Sequence, residues 1–132
     1  MMRVLIGEDH QQNRLLMSEV CIAAGLDHHA VSNGQAAIAA AGTGDFALAL
    51  LDVHMPGASG IDVTRAIRSL LPPLAWMPVI AITADIDPDM HRRCLEAGVD
   101  EIILKPIDVE GLIGRMHRWR DDPRCTAITR AA

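Results

Sequence analysis

Short apolar runs alternate along the chain with longer segments whose apolar residues recur every three or four positions. Val4-Leu5-Ile6 predicts a strand. From Gln11 to Ala24, Leu16, Met17, Val20, Cys21 and Ala24 share one stripe, the signature of a helix with one buried face. Gly25 suits the end of that helix. His28 to Val31 is a weaker run and predicts an edge strand. Asn33-Gly34 punctuates it, and the Ala-rich Gln35 to Ala41 predicts a second helix. Phe46 to Leu51 is apolar without alternation, as expected of a strand covered on both faces. Val63, Ile67, Leu70 and Leu71 mark a third helix, stopped by Pro72-Pro73. Pro78 to Thr83 is another buried strand. Asp85 or Asp87 can cap the next helix, with Pro88 in its first turn, Met90, Cys94 and Ala97 on its inner face and Gly98 at its end. Glu101 to Leu104 is the last strand. Asp108 caps a final helix with Val109, Leu112, Ile113 and Met116 inside. Periodicity stops at Asp121-Asp122-Pro123, and residues 121–132 read as a short, loose tail.

The order βαβαβαβαβα predicts an α/β fold, one parallel sheet with helices on both faces and right-handed crossovers. Ligands in such folds sit beyond the carboxyl ends of the strands. Chemistry-bearing residues stand at four of those ends. Glu8-Asp9 closes the first run, Asp52 the third, Thr83 the fourth and Lys105-Pro106 the fifth.

At 132 residues, half of them apolar, the chain suffices for one core, here placed in residues 1–120. A net charge of −5 argues against a nucleic-acid footprint, which needs a basic stripe. Cys21, Cys94 and Cys125 are odd in number and far apart, with no C-x-x-C. That suggests neither a disulfide framework nor a zinc site, and fits a reducing cytoplasm. Val4-Leu5-Ile6 is too short for a signal-peptide core. The uncharged stretch Ser69 to Ala84 holds three prolines and does not read as a membrane span.

Three carboxylates brought together raise one another's pKa, and a hard divalent cation relieves that repulsion. Oxygen donors without imidazole or thiolate pairs favour Mg²⁺. A carboxylate beside Mg²⁺ can attack a phosphoryl group to form an aspartyl phosphate, a transfer that needs mostly positioning and charge neutralisation. Lys105 can supply charge, and the Thr83 hydroxyl can donate to a phosphoryl oxygen.

From Met2 to Trp119 the chain resembles the receiver domain of two-component response regulators. Glu8-Asp9, Asp52 with Met55-Pro56 and Gly60, Thr83-Ala84 and Lys105-Pro106 carry the resemblance, in order and at the family's intervals. It implies a flavodoxin-like five-stranded parallel sheet of order 2-1-3-4-5. It implies phosphorylation of Asp52 from a phosphohistidine on a histidine kinase or histidine phosphotransfer protein. It also implies Asp9 and Asp52 as direct Mg²⁺ ligands, Glu8 acting through water, and the His54 backbone carbonyl completing the set. Lys105 pairs with Asp52 or its phosphate, and the Lys105–Pro106 bond is cis. The family usually carries Tyr or Phe three residues before the lysine, where this chain has Ile102, and Glu8 stands for the commoner Asp. The segment from Glu8 to Leu16 is similar to receivers attached to hybrid histidine kinases.

Other residues carry two readings. The His54 side chain either overhangs the site and tunes hydrolysis or is an exposed loop histidine. His28-His29 is not a metal pair, because adjacent strand residues point opposite ways. His91 and His117 fall on helix surfaces, where solvation competes with a phosphohistidine role. The methionines read as core filler, and Trp119 as an interface anchor or a cover for the last helix. The whole predicts a phosphoryl-accepting domain that signals by protein contact through the two helices flanking the last strand. It is expected to have no external turnover substrate and no output domain after Trp119. Two alternatives stand beside it. One is a phosphatase of the haloacid-dehalogenase type, which needs an Asp where His54 stands, as well as a cap and more chain. The other is a pseudo-receiver that binds partners without being phosphorylated.

Overall fold

The computed structural model describes residues 2–131; Met1 and Ala132, and the readings that touch them, lie outside the described residues. Five parallel strands form one sheet in the order β2-β1-β3-β4-β5. They are β1 (Arg3–Gly7), β2 (Asp27–Val31), β3 (Leu48–Asp52), β4 (Val79–Thr83) and β5 (Glu101–Leu104). The predicted order and direction both hold. β3 and β4 are buried at every residue, whereas β2 and β5 are the partly exposed edges. Helices α1 (Gln11–Ala23) and α5 (Val109–Arg120) pack together on one face. Helices α2 (Gly34–Ala41), α3 (Gly60–Arg68) and α4 (Pro88–Ala97) pack in sequence on the other. A sixth helix, α6 (Pro123–Ala131), follows.

Local chemistry explains the boundaries. Asn33 caps α2 by accepting from Ala36 N at 2.8 Å. Ser59 and Asp62 form a reciprocal capping box on α3. Of the two candidate caps for α4, Asp87 is the one used, accepting from Asp89 N. Gly98 ends α4 at φ +109°, a backbone region costly for any residue with a Cβ.

The structure corrects several details. β3 begins two residues later than the apolar run and includes Asp52 as its last residue, which fixes that carboxylate to the sheet. α3 stops at Arg68, so Leu70 and Leu71 lie beyond it, and Leu71 is exposed; the residue before a proline resists the helical region. Val109 is exposed, and the Asp108 side chain makes no capping bond.

The largest correction concerns the tail. Residues 123–131 form a docked helix, not a loose end. Asp122-Pro123 is a start signal that reads as a stop when only the end of the preceding periodicity is followed. The Asp122 carboxylate accepts from Arg124 N at 2.8 Å, and Pro123 fills a first-turn position where no N–H is needed. Cys125 and Ile128 are buried, and Cys125 Sγ donates to Ala47 O at 3.2 Å, at the amino-terminal end of β3. Burying a side chain the size of Ile128 contributes about 2 kcal/mol. Arg124 ties the same helix to Asp100 at 2.7 Å. Thus α6 closes the pole of the sheet opposite the strand carboxyl ends.

Candidate functional site

The carboxyl ends of β1, β3, β4 and β5 bring the predicted residues together. The peptide bond before Pro106 is cis, as expected. Lys105 N donates to Thr83 O at 2.8 Å, so the residue after β5 is locked to the end of β4. From there Lys105 Nζ reaches 3.0 Å from Asp52 Oδ2 and 3.4 Å from both Glu8 carboxylate oxygens. The other Asp52 oxygen, Oδ1, accepts from His54 N at 3.2 Å. Glu8 is fully buried and accepts from Asn13 Nδ2 at 3.1 Å. One ligand atom each from Glu8, Asp9, His10 and Asp52 lies within 4.8 Å of the others. Gly60 has to be small here, because a Cβ on it would lie 2.6 Å from the Asp52 carbonyl oxygen.

Burial pushes the Glu8 carboxyl above its ordinary value, and the neighbouring Asp52 adds to the rise. Burial works against the charged form of Lys105 too, but Asp52 and Glu8 outweigh it and hold the ammonium above its usual value. The pocket therefore carries surplus negative charge that one lysine does not balance. A pH consequence follows with a definite sign. A carboxyl whose pKa is higher folded than unfolded weakens the fold once it ionises, so its contribution is full at acid pH and lost as pH rises through the folded value. Glu8→Gln should stabilise the metal-free protein near neutral pH by about 1 kcal/mol. The gain should shrink on acidification to pH 4, as Glu8 takes up its proton more readily than an ordinary carboxyl. Thermal melts at the two pH values check this; a stabilisation that grows on acidification would reject the strained Glu8.

The donor set fits a hard dication. Three carboxylates converge, and Asp9 Oδ1 is buried without a hydrogen-bond partner among the described residues. A buried oxygen left unbonded is costly unless an ion or water takes it. Glu8, Asp9 and Asp52 are the residues that would hold Mg²⁺, as the sequence suggests.

Thr83 is fully buried, and its Oγ1 accepts from Asp85 N at 3.0 Å. The His54 side chain is exposed and reaches sideways, its Nε2 lying 3.1 Å from Asp85 Oδ2. His91 is half-buried with Nε2 2.6 Å from Asp85 O, and His117 Nε2 sits 3.0 Å from Ala24 O. Both are occupied by main-chain carbonyls, which disfavours the phosphohistidine reading. Trp119 donates from Nε1 to Glu101 Oε1 at 3.1 Å and lies under the Arg124 guanidinium, so it covers the end of α5.

Four contributors escaped the sequence reading. His10 completes the cluster of ligand atoms. Asn13 orients Glu8. Arg14 Nη1 donates to the Glu8 and Asp9 carbonyls at 3.0 and 3.1 Å and clamps the loop between β1 and α1. Asp85 joins the loops after β3 and β4. Asn13 and Arg14 stand four and three residues before the buried Met17, and that spacing places them on the inner face of α1. His10 and Asp85 carry no such signal, because loop geometry sets their reach.

The chain matches the sequence profile of the response regulator receiver domain over residues 4–117. It is 34% identical to the sensor protein GacS of Pseudomonas syringae over 125 residues, 89% of this chain and 13% of that protein. It is 29% identical to the sensory/regulatory protein RpfC of Xanthomonas campestris over 107 residues, 80% of this chain and 15% of that protein. The chain thus spans a small part of these curated relatives. A crystal structure of the receiver domain of a sensor histidine kinase from Pseudomonas aeruginosa superposes with a TM-score of 0.83 at 26% identity, covering 92% of this chain and 98% of that one. A magnesium ion is coordinated in the active site cleft of that protein.

Proposed function

The chain belongs to the response regulator receiver domain family of two-component and phosphorelay signalling, and from that premise we propose that Asp52 accepts a phosphoryl group from a partner phosphohistidine in a Mg²⁺-dependent reaction. One observation carries the reading: Lys105, held at the end of β5, places its ammonium 3.0 Å from the Asp52 carboxylate across the mouth of the sheet. A structural aspartate at a strand end has no need of a buried cation brought from a distant strand.

In this reaction an Asp52 carboxylate oxygen attacks phosphorus and forms the new P–O bond. The P–N bond to the donor histidine breaks, and its electron pair stays with the imidazole nitrogen. Bound Mg²⁺ supplies neutralising charge to the phosphoryl oxygens. Lys105 does the same from the β5 side, at low reorganisation cost because it already stands there. Glu8, Asp9 and Asp52 would hold the cation, with the backbone carbonyl of His54, two residues beyond Asp52, completing the set. The chain is then a self-modifying acceptor and not an enzyme for an external substrate. It works in the cytoplasm, where its buried cysteines stay reduced. Among the described residues no helix is long and apolar enough to cross a membrane.

Incubation with acetyl phosphate tests this, because a small donor needs no partner protein. Intact mass should show a single added phosphoryl group with Mg²⁺ and almost none after chelation. No uptake under either condition would favour the pseudo-receiver, for which the aliphatic Ile102 is the one supporting feature.

Signal output runs through Asp85 in this reading. With Ile102 in place of an aromatic ring, that position of β5 offers no side chain that can flip and hydrogen-bond. Thr83 instead bonds Asp85 N, and Asp85 accepts from Asp87 N at 2.9 Å, at the start of α4. Drawing the Thr83 hydroxyl onto a phosphoryl oxygen through a charge-assisted bond therefore moves the loop that begins α4. The responding surface is α4, β5 and α5, and a downstream protein reads it there. Beryllofluoride, a phosphate mimic, should change amide exchange from Ala84 through Ala97 and leave Ile102 nearly unaltered. Changes confined to α1 would locate the output elsewhere.

A further inference from the structure

We infer that His10 adds an imidazole nitrogen to the metal cluster, so that this receiver takes first-row transition dications such as Ni²⁺ or Co²⁺ through a mixed oxygen and nitrogen set as well as Mg²⁺ through oxygen alone. The inference rests on the metal-binding reading above and concerns which cations the site accepts.

His10 occupies the cap position of α1, yet its side chain makes no capping bond. The ring turns toward the acids instead. Its Nδ1 lies 3.2 Å from Asp9 Oδ1 and 3.5 Å from Glu8 Oε1. These spacings suit a shared cation. Two neighbouring donors about 2.1 Å from one metal stand about 3.0 Å apart in an octahedron and about 3.4 Å apart in a tetrahedron. The Asp9 oxygen nearest the ring is buried and makes no hydrogen bond among the described residues, so its contact with the imidazole leaves it able to take a cation. The His10 side chain is 71% exposed, which gives the ring room to settle on a bound ion.

Donor chemistry then separates the cations. Carboxylate oxygens suit Mg²⁺ and Mn²⁺, whereas an imidazole nitrogen strengthens binding toward the nickel and copper end of the series. Mg²⁺ gains little from the ring, because it prefers oxygen and retains water. The histidine therefore widens the range of ions that can fill the site without altering the acids that hold it.

Calorimetric titration with NiCl₂ and, separately, MgCl₂ tests this on the wild-type chain and on His10→Ala. Removing the side chain deletes no capping bond, so the variant should fold. The ratio of Ni²⁺ to Mg²⁺ affinity should fall by about tenfold or more in His10→Ala. A His29→Gln control should leave the ratio unchanged, which excludes adventitious binding at the exposed His29. A second readout is spectroscopic. Zn²⁺, being diamagnetic, should shift the ¹⁵N resonance of His10 Nδ1 in the wild type. An unchanged affinity ratio in His10→Ala, or no Zn²⁺-induced shift at His10, would overturn the inference while leaving the Mg²⁺ site intact. Absence of Mg²⁺ and Ni²⁺ binding to the wild type would overturn the metal reading itself.

Discussion

Asp52→Asn should abolish phosphoryl uptake from acetyl phosphate, with labelling down at least about 100-fold in intact mass. The amide is nearly the same shape and can still accept from His54 N through Oδ1. What it loses is the anionic oxygen that forms the bond to phosphorus. Lys105 also loses its nearest counter-charge, but both Glu8 oxygens remain at 3.4 Å, so the ammonium keeps a partner and the fold should survive. That separation matters, since a variant that unfolds would lose labelling for an uninteresting reason. A far-ultraviolet spectrum and melt recorded on the same sample keep the two apart. Equal labelling of the folded variant and the wild type would remove Asp52 as acceptor and turn attention to Glu8 and Asp9, the other acids in the pocket.

Asp9→Ala should lower Mg²⁺ affinity by at least about 100-fold, more than the typical loss for residues that only orient a metal's ligands. Asp9 is the best single probe because it does least for the empty fold. Its Oδ1 makes no hydrogen bond among the described residues, whereas Glu8 is bonded to Asn13 and paired with Lys105. Truncation at Asp9 thus removes a ligand and little else. Calorimetry with MgCl₂ gives the affinity, and the melting temperature without metal should rise or stay level. An unchanged Mg²⁺ affinity would exclude Asp9 as a direct ligand.

These two residues were both visible in the amino-acid sequence, and the reason is topological. In a parallel α/β sheet every strand points the same way, so the residue closing each apolar run arrives at one edge. Glu8, Asp52, Thr83 and Lys105 each needed only the end of a run to be placed, and all four came together. Long-range register was not required. Details that depended on a single turn were less secure. Phe46 looked like strand and proved to precede it, because apolar character reports burial and not backbone pairing.

Periodicity and punctuation sufficed for the strand count, the parallel direction, the alternation of helix and strand, and the acids at the sheet's mouth. These are properties of neighbouring residues, and neighbours are what a sequence lists. Other features needed the folded chain. The Asp122-Pro123 pair starts a helix because α6 finds Ala47 and Asp100 to pack against; a helix that short is marginal without such a surface. His10 joins the acids, and Asp85 bridges His54 to Thr83, because loops bend side chains toward partners far along the chain. Trp119 covers α5 because Arg124 returns over it. Each of those contacts is set by distance in space between residues on separate elements, which only tertiary packing specifies.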